Sequence, residues 1–395
     1  MLLLYLQGVS FALGLECNMK KKVCIVVSSE MTIKAFLKEH ILALSEYYEV
    51  TLIFDKRSSS LIQYDSFVPR IIPVAIKRRI NPIADLRALF QLIRIFRKNR
   101  FDLVHSVTPK AGLLAMLAGK ISGISFRVHT FTGQVWASKT GLLRALLKSM
   151  DSILALSATH LLVDSISQRQ FLIQEGVIKA YKSQVLASGS ICGVDLGRFR
   201  ANKEVRNRIR KDLGVMEQSF IILYMGRLNQ EKGVIDLASA FNQLAGQHDK
   251  LYLFMVGKDE ACLRKVIENR VSDKYKERLR FIDFTDKPED YLAAVDVLCL
   301  PSYREGFGNV VIEAAACGVP AIGSDIYGLS DAIKHHETGF LYSVGDVDAL
   351  ARAISQMVDD EYREKLGNAA FSRVEKYFSK ERVVEAWLSF YGSLL

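Results

Sequence analysis

The sequence contains no CxxC pair, and none of its six cysteines, at positions 17, 24, 192, 262, 299 and 317, has a histidine at zinc-ligand spacing. A small zinc module is excluded, and the thiols read as free in a reducing cytoplasm. Cys299 follows Val297-Leu298 and Cys317 follows Ala314-Ala315-Ala316, so both read as small buried hydrophobes rather than nucleophiles. Residues 1–18, MLLLYLQGVSFALGLECN, fall short of the roughly 20 apolar residues that span a bilayer. They carry no positive charge ahead of the apolar run, the wrong order for a secretory signal. They read as an extension of uncertain status, with translation from Met19 expected and the protein placed in the cytoplasm. There is no low-complexity linker, no short-period repeat and no nucleic-acid module or aromatic-interleaved basic strip, so nucleic acid is not expected as a partner. No DxD-type metal motif stands in a suitable place. Asp346-Val347-Asp348 opens a helical pattern before Ala349-Leu350, where an acidic first turn is ordinary.

What is present is 395 residues, half of them apolar, enough for two domains with sizeable cores. The net charge of +10 is unevenly placed: residues 1–196 hold 25 Lys and Arg against 13 Asp and Glu, the remainder 28 against 30. Such an asymmetry fits either an acidic partner for the first half or solvated helix faces.

Apolar, β-branched runs alternate with helical periodicity along the whole chain. Val23–Ser28, Val50–Phe54, Leu103–His105, Arg127–Phe131, Leu161–Val163 and Gln184–Leu186 read as strands in the first half. The cycle restarts with Ser219–Tyr224, Leu251–Val256, Leu279–Ile282, Val297–Leu300 and Pro320–Gly323. This predicts an α/β chain of two Rossmann-like, doubly wound domains, residues 19–196 and 197–379, facing each other across a cleft. Ligands are then expected in the turns after the strands.

Two such turns carry chemistry. Pro301-Ser-Tyr-Arg-Glu-Gly-Phe-Gly-Asn-Val-Val-Ile-Glu313 runs from a strand end through glycines into a helix closed by Gly318 and Pro320. Gly306 and Gly308 allow close backbone approach, and the helix start offers amides and a positive dipole end to phosphate. Glu305 and Glu313 flank this site, and carboxylates beside phosphate suit sugar and ribose hydroxyls. In the second turn, Met225-Gly226-Arg227-Leu228 with Glu231-Lys232-Gly233 sets two cations where they can neutralise a diphosphate without metal.

Together with Ala294-Val295-Asp296-Val297, Gly189-Ser190, Gly193-Val194-Asp195, Phe199, Asp102-Leu103-Val104-His105 and Pro109-Lys110-Ala111-Gly112, these motifs resemble the retaining glycosyltransferases of family 4 over roughly residues 20–390. The resemblance implies the two-domain GT-B fold, with a final helix over 380–395 returning to the first domain. It implies an enzyme of the hexosyltransferase type, taking sugar from a nucleotide-diphosphate donor, UDP first, without metal or other cofactor. Arg227 and Lys232 would hold the diphosphate, Glu313 the ribose and Glu305 the sugar. The Gly306, Phe307, Gly308, Asn309 and Val310 amides would be shared between sugar and phosphate. Arg227, Lys232 and Glu305 would carry the catalysis. One departure stands out: where many relatives place a sugar-contacting histidine, this chain has Thr132. Thr132, Gly133 and Gln134 are the candidate cleft lining instead, while His129, on the face of Phe131 and opposite Val128, reads as packed within its strand.

The acceptor implied is lipid-linked or glycan, in assembly of lipopolysaccharide or capsular polysaccharide. The basic first half has a candidate role there, on the cytoplasmic face of an anionic membrane. Arg87, Arg94 and Lys98 share one helical face beside Arg97, Arg100 and Lys77-Arg78-Arg79, with Leu86, Leu89, Phe90 and Ile93 assigned to the other. A solvated helix fits that pattern equally. The rival functions for the fold are a catalytically silent partner subunit and a sugar-nucleotide epimerase.

Overall fold

The computed structural model describes residues 20–55, 69–76 and 81–395. The extension 1–18 and the Lys77-Arg78-Arg79 triplet lie outside the described residues.

The first sheet comprises β1 (Lys22–Val26), β2 (Glu49–Phe54), β3 (Arg70–Pro73), β4 (Leu103–Val107), β5 (Phe126–Phe131), β6 (His160–Val163) and β7 (Ser183–Gln184). All pairings among them are parallel, in the order β3-β2-β1-β4-β5-β6-β7. The second sheet comprises β8 (Phe220–Met225), β9 (Leu251–Val256), β10 (Leu279–Ile282), β11 (Val297–Leu300), β12 (Ala321–Ser324) and β13 (Gly339–Tyr342), again parallel, in the order β10-β9-β8-β11-β12-β13. Both orders reverse direction at the first strand of the domain, the switch point of a doubly wound fold. Strands so placed are buried on both faces, which is why they read as continuous apolar runs rather than alternating ones.

Two strands and two long helices were not among the expected elements. β3 is a half-exposed edge strand of four residues between prolines, and β13 is a four-residue strand opening on glycine, each too short for a period to show. The helix Lys203–Asp212 is mostly charged, and Asp360–Tyr377 carries eight charged residues among 18. The first is anchored by burial of a cation. Arg210, 2% exposed, donates to Asp296 and to the carbonyls of Ala294, Glu217 and Ser219, while Asp296 also accepts from Arg206 and the Ile221 amide.

The Pro82–Asn99 helix corrects an expectation. Its core face is Ala88, Leu92 and Phe96, and Leu86 and Phe90 stand 53% and 62% exposed on the solvent side with Arg87 and Arg94. The helix rests on Pro109–Ile121, whose buried residues are mainly Ala, Gly and Leu. A contact that narrow covers only part of an apolar stripe.

The final helix, Lys380–Gly392, packs in the first domain's core through Val383, Trp387, Phe390 and Tyr391. Trp387 stacks on His40 at 4.2 Å and on His105 at 4.7 Å, and the Tyr391 hydroxyl meets His105 Nδ1 at 2.7 Å. Burial lowers the pKa of both histidines, that of His40 to about 4, so the rings stack uncharged. The two chain crossovers between domains run side by side: the Val194 amide donates to Phe378, Lys380 donates back to Val194, and Lys380 Nζ lies 3.0 Å from Asp195.

Candidate active site

The turns after β5 and β6 in the first domain face those after β8, β11 and β12 in the second. The contact is close. At Gly306 a Cβ would lie 2.3 Å from the Thr132 carbonyl oxygen and 3.0 Å from Asp164 Oδ2, so only glycine fits between the domains there. Further bonds cross the cleft. Ser190 Oγ donates to Asn309 Oδ1 at 2.8 Å, the Gly328 amide donates to Ser167 Oγ at 2.8 Å while the Ser167 amide donates to Asp331, and Tyr327 stacks on Phe171 at 4.6 Å. Glu231 binds Lys139 across the cleft at 2.7 Å and Arg304 at 2.8 Å. Burial works against ionisation of Glu231, yet these two cations hold its carboxyl at about 2.

The Asn309–Ala316 helix starts directly in this cleft. None of the amides of Gly306, Phe307, Gly308, Asn309 and Val310 donates a hydrogen bond to the described chain. Five amides without a partner in the described chain, at the positive end of a helix, suit an anion. Phe307 anchors the loop beneath them, buried and 5.2 Å from the ring of Phe378. Lys232 stands beside this loop, its Nζ hydrogen-bonded to Glu305 Oε1, which also accepts from Ser302 Oγ at 2.9 Å. Gly233 makes that placement possible: its φ is 64°, and a Cβ there would lie 1.9 Å from the Pro301 carbonyl oxygen. Lys232 and Glu305 are thus brought together, whereas Arg227 is turned toward Glu260 at 2.9 Å and is half exposed.

Glu313, one turn into the helix, has no hydrogen bond or ion pair among the described residues. Burial pushes its pKa to about 7, with Arg198 nearby opposing and Glu289 adding to the effect. Thr132 and Gly133 border the Gly306 loop. The Gln134 side chain turns inward instead, fully buried and accepting from Gln168 Nε2 at 3.1 Å. His129 is packed in β5, 2.8 Å from Ser106 Oγ and edge-on to Phe131, its pKa lowered to about 3 by burial. Asp346 caps its helix by accepting from the Ala349 amide. Among the described residues no group of three or more His, Cys, Asp or Glu could hold a metal ion. Asp164 at the end of β6 was missed by sequence reasoning. Only its place after an apolar strand set it apart, with no spacing pattern to mark it.

The family of glycosyl transferases group 1 matches residues 205–373, and a glycosyl transferase 4-like family matches residues 22–165. Over 351 residues, 87% of this chain and 90% of the other, the sequence is 30% identical to the capsular polysaccharide biosynthesis glycosyltransferase CapM of Staphylococcus aureus. The chain belongs to the group 1 glycosyltransferases. This glycosyltransferase is also 27% identical, over 82% of its length and 84% of the other, to an Escherichia coli UDP-Gal:α-D-GlcNAc-diphosphoundecaprenol α-1,3-galactosyltransferase. Its fold matches that of HepE from Anabaena, solved with UDP and glucose, with a TM-score of 0.78 and 18% identity over 94% of this chain and all of the other. It is therefore an enzyme of the two-Rossmann, GT-B architecture.

Proposed function

We propose that the enzyme transfers a hexose from a UDP-sugar to a lipid-linked or polysaccharide acceptor in cell-surface glycan assembly, retaining the anomeric configuration. The observation that carries the donor half is the row of five free amides from Gly306 to Val310 beside Lys232. The donor diphosphate lies on those amides, Lys232 exchanges its Glu305 bond for a phosphate oxygen, and Arg227 swings from Glu260 to complete the clamp. Glu305, released from Lys232, accepts from hydroxyls of the sugar, and Glu313 from those of the ribose. The acceptor oxygen bonds to the anomeric carbon on the face that the diphosphate leaves, and its proton passes to the departing phosphate. Two cations and a helix end supply the charge neutralisation, so no metal is required. The E. coli relative, whose donor is UDP-Gal and whose acceptor is a diphosphoundecaprenol-linked sugar, supports this donor and acceptor class.

The membrane half rests on the first domain. Ile83, Leu86 and Phe90 are exposed on the same helix as exposed Arg87, Arg94 and Arg97, and Leu142, Leu143 and Leu146 are exposed on the Gly141–Ser157 helix. Both helices pack on Pro109–Ile121 and so lie on one side of the sheet. Apolar side chains among cations suit an anionic bilayer surface. Among the described residues no helix is long and apolar enough to cross a membrane.

The direct test supplies radiolabelled UDP-galactose, UDP-glucose and UDP-N-acetylglucosamine with undecaprenyl-diphosphate-linked N-acetylglucosamine and follows label into the organic phase. Transfer from one donor, reduced on the order of 100-fold or more by Glu305→Gln, is expected. Failure of all three donors to give either transfer or free UDP would overturn the proposal.

A further inference from the structure

We propose that Asp164 is a sugar-binding residue, hydrogen-bonding a hydroxyl of the transferred hexose from the first-domain side of the cleft, opposite Glu305 and Gly306. Asp164 follows β6 and its backbone is fixed on both sides: its amide donates to Phe131 and its carbonyl accepts from Ser190. The side chain is 6% exposed, and Oδ1 is fully buried with no partner. No described residue donates to Oδ2 either, which sits against the Cα of Gly306, where a Cβ would be 3.0 Å away. Nearby, Ser165 Oγ accepts from the Gln168 amide at 3.2 Å and Gln168 Nε2 donates to Gln134, neither to Asp164.

A buried carboxyl without a single hydrogen bond is costly, and a structural role would have given it a partner. Burial raises its pKa to about 8, so near neutrality it can both donate and accept. Phosphate is a poor match for an acid at this point, and the described residues offer no metal cluster. A neutral, polyhydroxylated ring supplies the hydroxyl partners that the Asp164 carboxyl lacks.

The inference rests on the donor-site reading above, and calorimetric titration of the full chain separates the two. UDP, UDP-galactose, UDP-glucose and UDP-N-acetylglucosamine are titrated into wild type, Asp164→Ala and Asp164→Asn, each first checked by thermal melting. The expected result is that wild type prefers one UDP-hexose over UDP. Asp164→Ala keeps the UDP affinity within about twofold but loses roughly tenfold in that preference, and Asp164→Asn restores part of it. If wild type binds UDP and both variants keep the full preference, or lose UDP and UDP-hexose affinity in parallel, Asp164 does not read the sugar. Absence of UDP binding to wild type would overturn the donor site and this inference with it.

Discussion

Lys232 and Glu305 neutralise one another across a direct bond, which the proposed donor diphosphate would have to break. Lys232→Ala removes a cation from the proposed phosphate site and leaves the largely buried Glu305 with Ser302 alone. UDP affinity is expected to fall by about 10- to 100-fold in a calorimetric titration, the usual cost of a charge-assisted phosphate contact. Three carboxyls at or near the cleft have raised pKa values through burial: Asp164 to about 8, Glu313 to about 7 and Asp151, against the opposing hydrogen bond from Trp136, to about 6. The folded protein therefore keeps protons that the unfolded chain has already lost. Stability is greatest with respect to these groups below pH 4 and declines as pH rises toward 8. The buried histidines, with lowered pKa values, work in the opposite sense but only below their unfolded range near 6.5. Between pH 7 and 8.5 the melting temperature of wild type should thus fall, and Asp164→Asn with Glu313→Gln should flatten that slope; a slope unchanged in the double variant would refute the assignment. At this scale the grouping of glycines and charged residues around Gly306 was legible because strand-end turns concentrate them. Asp164 was not, since a lone acid carries no spacing pattern and its meaning comes only from what fails to bond it.

Trp387 shows how a single side chain can tie an element to the other end of the chain. Sandwiched between His40 and His105, it docks the Lys380–Gly392 helix into the first domain. Trp387→Ala is expected to cost about 3–5 kcal/mol in urea unfolding, the range for deleting a buried aromatic; a loss under about 1 kcal/mol would show that the helix docks without it. The long strands were readable because burial on both faces makes them unbroken apolar runs, and their glycine ends marked the turns. The charged helices were not, because Lys203–Asp212 is held by Arg210 reaching Asp296 rather than by an apolar stripe. The Pro82–Asn99 helix was found, with Leu89 and Ile93 on the core as assigned, but Leu86 and Phe90 stand exposed. Sequence shows how much of a helix is apolar, whereas the partner's width decides how much is covered.

Across the whole molecule, charge is unevenly divided. The second domain carries the Gly306–Val310 amides and is close to neutral, while the first carries the basic excess and two helices with exposed leucines, Leu86, Leu142, Leu143 and Leu146. Flotation with vesicles containing phosphatidylglycerol should therefore carry the protein upward, and vesicles of phosphatidylcholine alone should not. Arg87→Glu with Arg94→Glu should abolish that flotation, and raising salt should weaken it. Equal flotation on both vesicle types would remove the electrostatic part of the proposal. The domain-scale duplication of strand–helix cycles was visible in the sequence. The closeness of the two domains was not, because it depends on single contacts such as Gly306 on Thr132 and Glu231 on Lys139.

The most direct measurement is a calorimetric titration of UDP into the full-length protein in EDTA, with Lys232→Ala and Glu313→Ala in parallel. Saturable one-to-one binding to wild type without divalent metal, weakened in both variants, is the expected result. No binding, or binding that needs metal and ignores both substitutions, would contradict a donor site built from Lys232, Glu313 and the Gly306–Val310 amides.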